Sequence, residues 1–170
     1  MKNKQLILDM TCGGRTIWFN KNHPAALYCD IRKENKGFLK DRPNFSVDPD
    51  QVMDFRDLQF PDKSFKMVIW DPPHLMNLSK KSWIYKKYGS LDKNTWKSDI
   101  EKGFSEAWRV LDDYGSLILK WSSSSEERPT REKKVQDMLK LFPVGPLVGH
   151  TTTKKGNTMW FCFLKIPEIP

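Results

Sequence analysis

"VIWDPPHLM", residues 68–76, is an apolar run that stops at a carboxylate, two prolines and a histidine. Proline fixes φ and has no N–H, so it is poorly tolerated inside a strand or a helix. A buried strand should therefore end at Asp71 and present Asp71, Pro72, Pro73 and His74 together. "FKMVIWD" (65–71) is apolar enough to be a central strand of a parallel sheet.

Working outward, the same pattern recurs. "QLILD" (5–9) reads as a short buried strand, followed by the turn "TCGGR" (11–15). "AALYCD" (25–30) and "QVMDF" (51–55) read as further strands. Asp9, Asp30, Asp54 and Asp71 thus close four successive strands or stand at their ends, which places four carboxylates along one edge of a sheet. The spacing also predicts a short aromatic helix in "TIWFNKN" (16–22) and a short extra strand in "NFSVD" (44–48). Residues 75–96 read as a long polar and aromatic loop.

In 98–113, Ile100, Phe104, Ala107, Trp108 and Leu111 recur at helical spacing, with Ser98 as the expected N-cap. "YGSLILKW" (114–121) is a fifth strand. A helix is expected within 126–142, starting near Pro129. "PLVGHTTT" (146–153) and "TMWFCFLK" (158–165) flank "KKGN" and read as an antiparallel hairpin. Alternation of strands with crossovers implies a doubly wound α/β sheet, in which ligands bind beyond the carboxyl ends of the strands.

Bulk properties narrow the function. A chain of 170 residues fits one domain, expected to span 1–170 without a separate target-recognition domain. It has no membrane-spanning apolar run and no signal-peptide pattern, so a cytoplasmic location is expected. Cys12, Cys29 and Cys162 lack paired spacing, which excludes a disulfide framework or a zinc ribbon and favours reduced thiols. No histidine–cysteine cluster has metal-ligand spacing, and no metal is expected. The net charge of +8 favours a polyanionic partner, nucleic acid first.

These motifs resemble the class I S-adenosylmethionine-dependent methyltransferases over nearly the whole chain. "LILDMTCGGR" is similar to the family's first motif, "LYCDI" to its second, and "MDFRDLQFPDKSFKMVIWDPPH" to its third and fourth in their usual succession. "DPPH" resembles the [DNS]PP[YFW] motif of the amino-group methyltransferases, which act on adenine N6, cytosine N4 or glutamine amides. The turn departs from the family's form, lacking one residue and the first glycine, and His74 stands where an aromatic residue is usual. The resemblance implies a Rossmann-like seven-stranded sheet, mostly parallel, with a reversed last strand and the order 3-2-1-4-5-7-6.

It also implies S-adenosylmethionine as cofactor, held by Asp9, Thr11, Cys12, Gly13, Asp30, Asp54, Phe55 and Asp71. Asp30 would accept the ribose hydroxyls. Asp54 would accept the adenine amino group, and the Phe55 N–H would donate to a ring nitrogen. The catalytic residues would be Asp71, Pro72 and His74. An exocyclic amine is a poor nucleophile because its lone pair is delocalised. The Asp71 carboxylate and the Pro72 carbonyl can each accept one N–H, which aims that lone pair at a methyl donor. His74 would face the substrate, stacking on a flipped-out base or hydrogen-bonding it.

The loop "SKKSWIYKKYGSLDKNTW" (79–96) interleaves lysines with aromatics. Trp83, Tyr85 and Lys86 there, with Trp121 at the end of strand five, are expected to bind substrate. The acceptor expected first is adenine N6 in DNA or RNA. The alternatives are a small-molecule or protein methyltransferase and a non-catalytic cofactor- or nucleic-acid-binding module. With no separate recognition domain, specificity would fall to loops, a homodimer or a partner subunit.

Overall fold

The computed structural model describes residues 5–122, 135–151 and 158–167. Seven strands form one sheet: β1 (Ile7–Asp9), β2 (Ala26–Asp30), β3 (Gln51–Val52), β4 (Phe65–Trp70), β5 (Leu111–Ser122), β6 (Val148–Thr151) and β7 (Thr158–Leu164). Their order is β3-β2-β1-β4-β5-β7-β6. β1 lies parallel to both β2 and β4, and β4 parallel to β5. β7 runs antiparallel to β5 and to β6. This is the expected topology, with the penultimate position in the order held by the reversed strand.

Register fixes which side chains share a face. Leu8 stands beside Leu27 and Val68, Val68 beside Leu117, and Leu117 beside Phe163. All five join one buried cluster with Trp70, Ile100, Phe104 and Met138. Helix α2 (Trp96–Val110) covers that face through Ile100, Phe104 and Ala107. The helical residues 135–139 add Val135 and Met138 to the same cluster. Phe104 stacks on Phe142 with ring centroids 4.1 Å apart. The opposite face carries Ile7, Met67, Ile69, Ile118 and Cys162, all only partly buried, with a smaller cluster of Cys12, Ala26 and Tyr28 at one end.

Local structure corrects several expectations. The stretch 16–22 forms turns, not a helix. Gly13 and Arg15 take positive φ there, at 49° and 52°. The Arg15 guanidinium reaches the carbonyls of Lys21 and Asp48 at 2.8 Å and lies 3.8 Å over the Tyr28 ring, which holds the segment as a compact loop. Residues 44–48 contribute only an isolated bridge, Val47 with Glu34. β3 is two residues long rather than five.

The loop expected over 75–96 contains a six-residue helix, α1 (Trp83–Tyr88). Its caps are in the sequence: the Ser82 hydroxyl accepts from the Tyr85 N–H, and Gly89 ends the helix at φ 75°. The helix is too short for an amphipathic period to reveal it. α2 begins at Trp96, so Ser98 lies inside it and Thr95 is the N-cap. It ends at Val110, and β5 follows at once. The expected helix start near Pro129 and the "KKGN" hairpin tip lie outside the described residues. Among the described residues, no helix is long and apolar enough to cross a membrane.

Candidate active site

The parallel strands deliver their carboxyl ends to one edge of the sheet. A cavity of about 360 Å³ opens there. It is lined by the turn after β1 (Thr11, Cys12, Gly13 and Gly14), by Asp30 after β2, by Phe55 beyond β3, and by Asp71, Pro72, Pro73 and His74 after β4. α1 and the chain after it close the far side with Lys87, Tyr88 and Gly89. Five segments remote in sequence thus meet at one volume, of a size that suits a small ligand.

Each tip is pinned by backbone bonds. The Asp71 N–H donates to the Thr11 hydroxyl at 2.9 Å, joining the β1 turn to the DPPH segment. The Cys12 N–H donates to the Cys29 carbonyl at 2.8 Å. At Gly14 a Cβ would lie 2.3 Å from the Phe45 ring, so any larger residue requires that ring to move. Burial pushes the Cys29 thiol up to about 12 and the Cys12 thiol higher still, so neither is a nucleophile near neutral pH.

The four carboxylates differ sharply in environment. Asp9 is fully buried and does not line the cavity; it accepts from the Thr11 N–H at 3.2 Å and the Trp18 indole at 2.7 Å. Burial raises its carboxyl from 3.8 to about 7, against those two hydrogen bonds. Its role is to hold the turn. Asp30 accepts the Gly13 N–H at 2.9 Å on one oxygen, and the Arg32 N–H and Nε at 3.0 and 3.2 Å on the other.

Asp54 also lies off the cavity wall, locked by Arg56 through its backbone N–H and its guanidinium at 2.6–3.1 Å. Those hydrogen bonds hold its carboxyl below the usual range. Arg56 reaches on to Asp99 of α2 at 2.9 Å, and both of these residues line the cavity.

Asp71 carries the largest surprise. Lys120, near the end of β5, places its ammonium 2.6 Å from Asp71 Oδ2. Among the described residues Oδ1 has no such partner, and Asp71 lines the cavity. His74 is mostly buried, and its Nδ1 has no hydrogen-bond partner among the described residues. Burial lowers its imidazole below the usual histidine range; Asp71 opposes that shift and Lys120 reinforces it. The ring is therefore flat and neutral near pH 7, with one unsatisfied nitrogen.

The other expected substrate residues do not gather here. Trp121 is buried at 3% exposure and lines no part of the cavity. It packs edge-on against His74, with centroids 6.4 Å apart, and lies 6.1 Å from Trp96. It supports His74 from behind because residues alternate in a strand, and Lys120 takes the side toward Asp71. Trp83 and Lys86 line a second cavity, and Tyr85 lines neither.

Lys120, Lys87, Arg32 and Arg56 were not foreseen. For the arginines a signal existed: "DIR" (30–32) and "DFR" (54–56) repeat one acid-x-Arg pattern after a strand, and each arginine folds back on the acid two residues before it. Lys87 is buried at 7% exposure on the cavity wall, beside the Tyr88 hydroxyl and over the Phe45 ring. Among the described residues, no group of three histidine, cysteine or acidic side chains is arranged to hold a metal ion.

The residues at this cavity suit S-adenosylmethionine in kind. Asp30 brings a carboxylate, Phe55 an apolar wall and Lys87 a buried ammonium to one volume. No family profile and no curated protein matches the sequence. Solved structures do match in fold. A protein of Pyrococcus horikoshii aligns with a TM-score of 0.56 at 16% identity, over 97% of this chain and 84% of that one. An S-adenosylmethionine-dependent methyltransferase of Methanosarcina mazei aligns with a TM-score of 0.56 at 14% identity, over 99% and 95%. Another, of Aquifex aeolicus, aligns with a TM-score of 0.55 at 10% identity, over 97% and 84%. With its strand order and its cavity at the carboxyl edge, the chain has the fold of the S-adenosylmethionine-dependent methyltransferases.

Proposed function

We propose that this chain transfers a methyl group from S-adenosylmethionine to an exocyclic amine, with adenine N6 of a nucleic acid as the acceptor. One observation carries the reading: Asp71, Pro72, Pro73 and His74 line the same cavity as the Gly13–Gly14 turn and Asp30. A methyl-acceptor motif and a nucleoside-binding acid share one volume.

The cofactor supplies an electrophilic methyl group when bound. The chain's residues do the rest by position and charge. Asp30 would accept from the ribose, and Phe55 would pack against the adenine. Asp54 acts one step removed, through Arg56. Gly13, Thr11 and Cys12 shape the turn, and Asp9 holds it from beneath.

At the acceptor side, the Asp71 carboxylate and the Pro72 carbonyl would take the two N–H groups of the amine. Lys120 compensates the Asp71 charge, so the carboxylate is available without carrying an unpaired charge into a partly buried site. The prolines fix the backbone so both acceptors converge. His74 offers a flat neutral ring to a base at the cavity wall. Catalysis is then orientation and electrostatic placement, with no covalent enzyme intermediate.

The test is transfer of labelled methyl from S-adenosylmethionine to separate DNA, RNA and small-molecule pools, followed by nucleoside analysis. Label in N6-methyladenine supports the reading. Label confined to small molecules or protein assigns the chain to the alternative acceptor class, and cofactor binding without any transfer assigns it a binding role.

A further inference from the structure

A second cleft, of about 530 Å³, borders α1, as the catalytic cavity does. Its walls are residues 37–42 and the start of α1, and sequence reading assigned nothing to 37–42. We propose that this cleft binds a nucleotide flanking the methylated one, its phosphate on lysine and arginine and its base on Trp83, so that a single strand crosses α1 from one cavity to the other. The proposal rests on the nucleic-acid reading above and deepens it.

Charge and shape point to that ligand. Lys40, Arg42, Lys81 and Lys86 line the cleft, against one carboxylate, Asp41. All four cations are exposed, and among the described residues none of them pairs with a carboxylate. The other arginines among the described residues, Arg15, Arg32, Arg56 and Arg109, are each committed to an acid. Trp83 is 51% exposed, an unusual state for an indole, and stands in the same cleft with Phe38. Unpaired cations suit phosphates, and an exposed flat ring beside them suits a base. An acidic peptide would satisfy the cations and leave Trp83 unexplained.

The two cavities are continuous in construction. Lys86 lines the cleft and Lys87 lines the catalytic cavity, with Cα atoms about 3.8 Å apart as in any trans peptide. The wall between them is an aromatic pair: Phe38 faces the cleft, Phe45 faces the cavity, and their centroids are 5.9 Å apart. Arg32, bound to Asp30, also donates to the Lys86 carbonyl at 3.1 Å, which fixes α1 relative to the cofactor side. A base extruded into the catalytic cavity would therefore leave its neighbour over the cleft. That arrangement needs an unpaired strand, because adjacent bases stacked in a duplex cannot enter two separate cavities.

Fluorescence anisotropy with labelled twelve-nucleotide DNA and RNA single strands of one adenine-containing sequence tests this. The variants are Trp83→Ala and the double Lys81→Ala/Lys86→Ala, with S-adenosylmethionine calorimetry on each protein as a control for folding and for the first cavity. Trp83→Ala should weaken binding about 5- to 150-fold, the range for loss of one stacked base. The double lysine variant should make the log–log salt slope shallower by about 1.4. Both should bind S-adenosylmethionine as the wild type does. Tighter binding of RNA or of DNA supports the proposal and assigns the sugar. Variants that hold both strands with wild-type affinity and salt slope overturn the cleft while leaving the methyltransferase reading intact. Wild type that binds cofactor but neither strand overturns both the cleft and the nucleic-acid acceptor. Poly-glutamate competing equally well, with the same loss in Trp83→Ala, would overturn the role given to the base.

Discussion

Replacing Asp30 by alanine probes the cofactor side of the account most sharply. Asp30 is 5% exposed and already accepts three N–H bonds, one from Gly13 and two from Arg32. A carboxylate offers about four lone-pair sites, so about one is left for a ribose hydroxyl unless the Arg32 side chain swings away. A hydrogen bond to a charged group is worth about 1.5–3 kcal/mol. One such bond lost is about a 10- to 150-fold rise in the dissociation constant. Loss of the Gly13 anchor adds to that, since the turn is then free to leave its place at φ 49°.

Calorimetric titration with S-adenosylmethionine reads the effect. Thermal denaturation accompanies it, because the stranded Gly13 N–H costs a further ~1–3 kcal/mol of stability. Arg32→Ala is the internal contrast: it removes the Nε bond to Asp30 Oδ1 and leaves the backbone N–H bond in place, so its affinity should equal or exceed that of the wild type. Binding by Asp30→Ala within threefold of the wild type, in a folded protein, would refute the assignment of Asp30 to the ribose.

Other outcomes follow from the same geometry. Lys120→Met leaves Asp71 without its counter-ion at sites about one-fifth exposed; after allowance for solvent screening the loss should be about 1–2 kcal/mol, or about 3–6 °C in melting temperature for a chain of this size. Gly103→Ala should destabilise by ~1–3 kcal/mol in chemical denaturation. Helix propensity alone predicts the opposite sign, but a Cβ there would stand 2.5 Å from the Trp70 ring and 2.6 Å from Phe55. Asp9 gives a pH signature. Its carboxyl is raised from 3.8 to about 7, so its favourable contribution is full below about pH 4 and is lost as pH rises through 7. Asp9→Asn should flatten the dependence of the denaturation midpoint between pH 4 and 8.

The strands were legible because each apolar run ends at a carboxylate or just short of one, as at Asp9, Asp30 and Asp71, and because the "DPPH" prolines mark where β4 must stop; their order followed from the resemblance of these motifs to a known family. The partners of those acids were not legible. Lys120 reaches Asp71 across 49 positions, and Arg56 reaches Asp99 across 43. Such pairings depend on which strands become neighbours, which local periodicity does not record. α1 escaped notice because six residues span under two turns, although Ser82 and Gly89 supply both of its caps. The stretch 16–22 was misread because its aromatic spacing suggested a helix, while Arg15 ties it into turns through contacts as distant as Asp48. Trp121 was placed one face away from its true position because the alternation of β5 assigns Lys120, not Trp121, to the Asp71 side.

Paired measurement of cofactor binding and methyl transfer in Asp71→Ala bears most directly on the central claim. Asp71 is assigned to the acceptor amine through Oδ1, whereas the cofactor's ribose is assigned to Asp30. The variant should therefore bind S-adenosylmethionine within a few-fold of the wild type and transfer no detectable label to adenine in a single strand. Transfer at the wild-type rate by Asp71→Ala would contradict the account.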